Sequence, residues 1–155
     1  MDFGEAPARL RALPSYAITV AAARSGQLAA GRVSKLGVSK AAYGMLAVIE
    51  EFGPSSQADL GRRLGMDRRS VSEEAAELEH GEFVSRGPDP ADSRRNRLEI
   101  TAAGRTLLAQ LESSFRAMQE ELLVSLSPED RAELNRLLAL IVVSAPASTL
   151  PGRER

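Results

Sequence analysis

Nearly all the positive charge of this chain comes from arginine, which makes up 18 of its 20 basic residues. Guanidinium groups suit paired hydrogen bonds to phosphate and to guanine, although a high-GC genome also enriches arginine. The positions of the arginines in the chain therefore distinguish nucleic-acid contacts from genomic composition. Two short stretches combine arginine with serine or with further arginine: Arg68, Arg69, Ser70 and Ser72 in the first, and Arg94, Arg95 and Arg97 in the second.

Other kinds of chemistry have few candidate residues. The chain has no cysteine, which excludes thiolate nucleophiles, iron–sulfur clusters and sulfur-ligated zinc. His80 is the only histidine, so a histidine cluster for a transition metal is excluded. Glu73 and Glu77 are candidate catalytic carboxylates, but a helical wheel places them and His80 on a convex surface. We therefore expect no catalytic residues, no metal and no cofactor, and an enzyme is the least favoured class.

Length and composition predict one domain of ordinary globular type. The chain has 155 residues, of which 43% are apolar and 26% charged. Its net charge of −1 lacks the overall basic character of many nucleic-acid binders, so local clusters carry that argument. No apolar run approaches the length of a membrane helix, and the first residues lack the basic start of a signal peptide. We expect a cytoplasmic protein without membrane contact.

Capping residues, apolar periodicity and turn residues predict the elements that position these side chains. Helices are predicted at 15–33, 40–52, 57–64 and 68–80, after Thr101 and from Ser127, and strands at 83–86 and 96–100 around a turn-rich loop at 87–95. Gly26 and Gly31 lie inside the first helix, where each costs about 1 kcal/mol relative to alanine. A close helix crossing, or less often a bound ligand, is expected to require them.

This order of elements predicts a mainly α fold with a small β-hairpin wing, namely a winged helix-turn-helix with flanking N- and C-terminal helices. In such folds a short helix crosses the phosphate backbone, the next helix enters the major groove, and the hairpin lies against the adjacent backbone or minor groove. On the helix at 68–80, Val71, Ala75 and Leu78 share one face, and Arg69 and Glu73 lie on the opposite one.

Three stretches of the chain resemble the MarR family of bacterial transcriptional regulators. Residues 57–63 and 65–68 resemble the helix-turn-helix of the family, 89–95 its wing, and 98–104 its passage from the wing to a dimerisation helix. The resemblance runs from about Leu13 to Leu140. It implies a homodimer that binds a pseudo-palindromic operator in double-stranded DNA, usually as a repressor released by a small aromatic or phenolic acid. The implied dimerisation helices lie at 13–37 and 102–145, and the winged helix-turn-helix lies at 38–101.

The resemblance and the helical faces together give candidate site residues. The expected DNA contacts are Ser55, Ser56, Gln57, Arg68, Arg69, Ser70, Ser72, Glu73, Arg94, Arg95 and Arg97, with Asp92 orienting the wing. The expected dimer contacts, taken from two apolar seams, are Leu108, Leu111, Phe115, Leu122, Leu137 and Ile141. The expected effector contacts are Ser15, Tyr16, Arg24 and Tyr43.

Two features depart from the family pattern. The predicted recognition helix carries Glu73, Glu74, Glu77 and Glu79, and carboxylates that face phosphate repel it. An alternative is therefore a MarR-like module that binds a ligand or a protein and binds DNA weakly or not at all. The second departure is the turn after this helix, in which Gly81 stands one residue earlier than in the family. An affinity for duplex DNA that falls steeply with salt would indicate the DNA-binding regulator, and its absence would indicate the ligand- or protein-binding module.

Overall fold

The computed structural model describes residues 4–89 and 92–144, and the side chains of residues 92–95 and 144 lie outside that description. In chain order the elements are α1 (Ala8–Arg11), α2 (Pro14–Val33), a 3₁₀ turn (Ser34–Leu36), α3 (Lys40–Phe52), α4 (Gln57–Leu64), α5 (Arg68–His80), β1 (Val84–Asp89), β2 (Asp92–Ile100), α6 (Ala102–Leu122) and α7 (Pro128–Ser144). The predicted mainly α fold with a two-stranded hairpin is confirmed. Within the described ranges, no helix is long and apolar enough to cross a membrane.

Side-chain caps determine where four of the helices begin. The first amide groups of a helix lack partners within it, and a serine, threonine or aspartate oxygen accepts from them. Ser39, Ser56, Asp67 and Thr101 do so for α3, α4, α5 and α6 respectively. The predicted starts of these helices are confirmed. Helix α2 begins at Pro14, one residue before the prediction, and the short α1 was not predicted.

The turn between α4 and α5 is short because of two glycines. Gly65 ends α4 in the left-handed conformation, with φ of 65°, which glycine adopts without steric cost. A Cβ added to Gly61 would lie 3.1 Å from the carbonyl oxygen of Met66. The missing side chain therefore lets α4 approach the turn closely, and this brings α5 across α4.

Helix α3 lies at the centre of the core. Its side chains Met45, Leu46 and Ile49 are almost fully buried. Helices α4, α5 and α6 and strand β2 also contribute apolar side chains to the core. These are Leu60 from α4, Val71, Ala75 and Leu78 from α5, Leu98 and Ile100 from β2, and Leu107, Leu108 and Leu111 from α6. Burial of this apolar surface is the main force that holds the recognition helix and the hairpin against α3.

The hairpin extends further than the sequence indicated. Pairing runs from Val84 opposite Ile100 to Pro88 opposite Asn96, and after a register shift Asp89 lies opposite Asp92. The predicted loop at 87–95 is therefore wrong for most of its length, and the two residues between the strands lie outside the described residues. Most of these turn-forming residues lie in the strands instead, because the backbones of the two strands pair along this stretch.

The roles predicted for the apolar seam of α6 need correction. Leu108 and Leu111 are buried in the core of the single chain. Phe115 and Leu122 are half-buried, whereas Leu137 and Ile141 on α7 are 45% and 55% exposed. The sequence pattern showed that one face of α6 is apolar, but the face packs on α2 and α3 of its own chain.

The close helix crossing expected at the glycines of α2 is absent from the described part of the chain. A Cβ built at Gly26 or Gly31 meets no heavy atom of these residues within 4 Å. Packing within one chain therefore does not explain either glycine.

Candidate nucleic-acid interface

The start of α5 is held rigidly by its cap. Asp67 accepts a hydrogen bond from the backbone N–H of Ser70 at 2.9 Å and from the Ser70 hydroxyl at 2.7 Å. These bonds stabilise the ionised carboxylate and lower the pKa of Asp67. The Ser70 hydroxyl has only one proton to donate, and Asp67 receives it. Ser70 therefore acts as part of the cap, and its predicted contact with DNA stays a prediction.

The N-terminal turn of α5 presents a small exposed face. Arg68, Arg69 and Ser72 are exposed, and the Arg69 side chain is 87% exposed. The Arg69 Nε atom lies 2.7 Å from Oε1 of Glu73, one turn further along the helix. This hydrogen bond raises the pKa of the Arg69 guanidinium, so the arginine stays charged. The predicted outward position of Arg69 and Glu73 is confirmed.

Two of the four glutamates of α5 have partners elsewhere in the fold. Glu74 accepts a hydrogen bond from the Ser39 hydroxyl at the start of α3. Glu79 accepts from Arg86 on β1, with 2.9 Å between Arg86 Nη2 and Glu79 Oε2. The Arg86 guanidinium therefore offsets the charge of Glu79, whereas the neutral Ser39 hydroxyl binds Glu74 without offsetting its charge.

The hairpin carries one described ion pair near its outer end. Arg97 Nε lies 2.7 Å from Oδ2 of Asp89, whose side chain is almost completely buried. The pair joins the two strands, and the Arg97 side chain is 37% exposed. The side chains of Asp92, Arg94 and Arg95 lie outside the described residues, so their predicted wing contacts stay predictions.

The residues before α4 are mostly structural. Ser55 is 6% exposed, its backbone pairs with Leu98 of β2, and its hydroxyl donates to the Gly53 carbonyl. Its burial removes it from the predicted DNA contacts. Ser56 donates to Asp59 Oδ2 at 2.7 Å, which lowers the pKa of Asp59. Because this proton is committed, Ser56 acts as a cap, and Gln57 is half-buried at the start of α4.

The side chains that could bind a metal are dispersed over the described part of the chain. His80 is exposed at the end of α5. No group of three or more histidine, aspartate or glutamate side chains there could hold a metal ion. The exposed position of His80 agrees with its predicted location on a convex surface.

A second site lies between α3 and α6. A cleft of about 470 Å³ is lined by Tyr43 from α3 and by four residues of α6, namely Glu112, Phe115, Arg116 and Gln119. The Tyr43 and Phe115 rings lie against each other, with 4.6 Å between their centroids. Aromatic walls with a few charged groups at the edge are typical of small-molecule sites.

The cleft includes one of the four predicted effector contacts. Tyr43 lines it, whereas Ser15, Tyr16 and Arg24 lie on α2 and are not part of its lining. Glu112, Arg116 and Gln119 also line the cleft and were not among the predicted effector contacts. Their spacing of four and three residues on one helix was a usable signal, because such residues share a face. Only the fold shows that this face meets Tyr43.

Comparisons with known proteins identify the family. The family model described as "MarR family" matches residues 36–95, which span α3 to the hairpin. A transcriptional regulatory protein for the hcr operon of Thauera aromatica is 32% identical over 121 residues, covering 74% of this chain and 73% of that protein. The chain belongs to the MarR family.

Solved structures of MarR-family proteins share the fold. BpsR of Bordetella bronchiseptica, whose DNA binding is regulated by 6-hydroxynicotinic acid, has a TM-score of 0.78 at 18% identity, covering 91% of this chain and 100% of BpsR. A MarR variant from E. coli in complex with operator DNA has a TM-score of 0.75 at 20% identity, covering 88% of this chain and 99% of MarR. As a member of the MarR family by its family-model match and its 32% identical relative, the protein is a DNA-binding transcriptional regulator and not an enzyme.

Proposed function

We propose that this MarR-family protein is a homodimeric repressor that binds a pseudo-palindromic operator and is released by a small aromatic acid. The observation that carries the DNA part is the exposed first turn of α5. It presents Arg68, Arg69 and Ser72 on a helix whose opposite face is buried. The first residues of recognition helices contact base edges in the major groove, and arginine suits guanine and phosphate there.

The hairpin adds a second contact in this proposal. Its strands follow α5 directly, and Glu79 and Arg86 join the two elements. In the proposed complex Arg94, Arg95 and Arg97 lie against the minor groove or its phosphates. Such contacts add affinity and read groove shape more than base identity.

The proposed dimer uses helices from both ends of the chain. Residues 13–37 and 102–145 form the dimerisation part, and residues 38–101 form the winged helix-turn-helix. Apolar side chains that a single chain leaves exposed support this division: Leu13, Ile18, Leu137, Leu140, Ile141, Val142 and Val143. Exposed apolar side chains favour association with a partner, and twofold symmetry would present two α5 helices to two half-sites.

The effector proposal rests on the cleft. Tyr43 belongs to the winged part and Phe115 and Arg116 to the dimerisation part, so a ligand between them contacts both. The Arg116 guanidinium suits a carboxylate, and the two rings suit an aromatic body. The regulation of BpsR by 6-hydroxynicotinic acid, a small aromatic acid, supports the chemical class.

Duplex binding measured across salt concentrations tests the function. The wild-type protein is expected to select a pseudo-palindromic duplex from a random library, and its affinity is expected to fall steeply with salt. Arg68→Ala and Arg69→Ala should weaken that binding, whereas Arg9→Ala, an exposed arginine on α1 outside both proposed parts, serves as a control with little effect. Addition of 6-hydroxynicotinate or benzoate tests release. If the wild-type protein binds no duplex at low salt, the ligand- or protein-binding module replaces this proposal.

A further inference from the structure

Glu74 is an acidic residue on the helix that is proposed to meet phosphate, yet it turns away from the exposed face. It is half-buried, unlike Glu73 and Glu77. Its Oε2 atom accepts a hydrogen bond from the hydroxyl of Ser39, a residue 35 positions earlier in the chain. Glu74 therefore joins α5 to the start of α3.

Ser39 is well suited to hold a carboxylate in one place. Its oxygen accepts from the backbone N–H groups of Ala41 at 2.9 Å and Ala42 at 3.3 Å, while its proton goes to Glu74. A serine hydroxyl has one proton and two lone pairs, so these three bonds use its full capacity. The N-terminus of α3 also favours a negative charge at this point.

Helix α3 is held in place by its packing in the core. Met45, Leu46 and Ile49 anchor it in the core, and Tyr43 packs against Phe115 of α6. The contacts of α5 with this core are mostly apolar, through Val71, Ala75 and Leu78, and the polar contact of Glu79 with Arg86 holds only the C-terminal end of the helix. Apolar contacts are weakly directional, whereas a hydrogen bond to a charged group has a strict geometry.

We propose that Glu74 is a positioning residue for DNA recognition: through Ser39 it sets the rotation of α5 about its own axis relative to α3. This inference rests on the proposed function, because it concerns the helix that is proposed to enter the major groove. Without the bond, α5 keeps its apolar packing but its exposed turn samples several orientations. Base contacts require one orientation, whereas phosphate attraction does not.

Positioning and electrostatic repulsion predict opposite changes in the affinity for the selected duplex when the Glu74 carboxylate is removed. Removal of a carboxylate near DNA reduces repulsion and on that ground tightens binding to every duplex. Loss of a positioning bond instead weakens binding to the selected duplex alone. Glu77→Ala is the matched control, since it removes an exposed glutamate from the same helix.

The experiment measures binding of two duplexes by fluorescence anisotropy at fixed salt. One duplex is selected from a random library by the wild-type protein, and the other has a scrambled sequence. Glu74→Ala is expected to weaken binding to the selected duplex roughly tenfold, the size expected for loss of a hydrogen bond to a charged group, without weakening binding to the scrambled duplex. Glu74→Gln, whose amide oxygen still accepts from Ser39, is expected to retain most of the selectivity. Circular dichroism melting establishes that each variant is folded.

A swap of donor and acceptor separates positioning from general stability. Ser39→Asp still caps α3 but sets two carboxylates against each other, so selectivity should fall. Combined with Glu74→Gln, whose amide N–H groups donate to the new aspartate, selectivity should return. The proposal is overturned if Glu74→Ala tightens binding to both duplexes as Glu77→Ala does, or if the double variant is no better than Ser39→Asp. If the wild-type protein selects no duplex, the proposed function has failed instead.

Discussion

Arg69 and Glu73 form an ion pair on the exposed face of α5, with 2.7 Å between Arg69 Nε and Glu73 Oε1. Arg69 must exchange this carboxylate for DNA when it binds a phosphate or a base. Glu73→Ala is therefore expected to tighten binding to operator and random duplex alike, by a few-fold at low salt and less at high salt. Affinities for both duplexes across salt concentrations measure the effect.

A different result would assign Glu73 to base recognition. If Glu73 accepts from a cytosine amino group, Glu73→Ala should weaken binding to the preferred operator roughly tenfold and relax selectivity at one base pair per half-site. Glu133 is a matched control, because it forms a similar ion pair with Arg136 on α7. Glu133→Ala should leave both affinities unchanged.

The missing side chain of Gly104 allows the start of α6 to pack closely against Phe83 and Ile100. A Cβ at this position would lie 2.8 Å from Ile100 Cγ1 and closer still to the Phe83 carbonyl oxygen, which also accepts from the Thr101 N–H. Backbone cannot yield as a side chain can, so Gly104→Ala should lower the free energy of unfolding by about 3 kcal/mol or more. Urea unfolding measures this. Gly26→Ala, in open space on α2, should instead stabilise by up to about 1 kcal/mol.

The turn after α5 contains a residue in the left-handed conformation. Glu82 has φ of 58°, while Gly81 has an ordinary φ of −77°. Glu82→Gly should therefore stabilise the protein by about 1 kcal/mol in thermal or urea unfolding. Gly81→Ala should destabilise it, because the new Cβ would lie 2.5 Å from the Phe83 ring. Destabilisation by Glu82→Gly would contradict this account of the turn.

Two aspartates at the starts of α5 and α4 are expected to make the free energy of unfolding depend on pH. Hydrogen bonds from Ser70 lower the pKa of Asp67, and those from Ser56 and Arg62 lower the pKa of Asp59. A lowered folded-state pKa stabilises the protein above the unfolded-state value of about 4, and this stability is lost as pH falls through the folded-state pKa. Asp67→Asn keeps a cap without a titratable group. The difference in unfolding free energy between wild type and Asp67→Asn should therefore shrink between pH 6 and pH 3, and a constant difference would contradict the assignment.

The exposed face of α7 and the buried face of α6 should respond differently to substitution. Leu111 is fully buried, so Leu111→Ala should cost about 2–5 kcal/mol of stability. Ile141 is 55% exposed in a single chain, so Ile141→Arg should leave the chain folded and shift it toward monomer. Sedimentation velocity and urea unfolding measure the two effects. A wild-type monomer at micromolar concentration would contradict the proposed dimer.

The sequence alone determined the order of the elements and the start of most helices. Ser39, Ser56, Asp67 and Thr101 mark those starts because capping is a local interaction between residues two or three apart. The buried face of α5 was also predictable, since Val71, Ala75 and Leu78 follow the helical period. The resemblance to the MarR family depended on such local stretches as well, and the comparisons confirm it.

The long-range partners of these elements depend on how the whole chain packs. Apolar periodicity shows that a face of α6 is buried, but not whether its own chain or a second one covers Leu108 and Leu111. The glutamates of α5 looked alike in the sequence, yet Glu74 meets Ser39 and Glu79 meets Arg86, because α3 and β1 pack beside them. The cleft of Tyr43 and Arg116 forms for the same reason. Local rules act over one helical turn, whereas these contacts join residues that only the folded chain brings together.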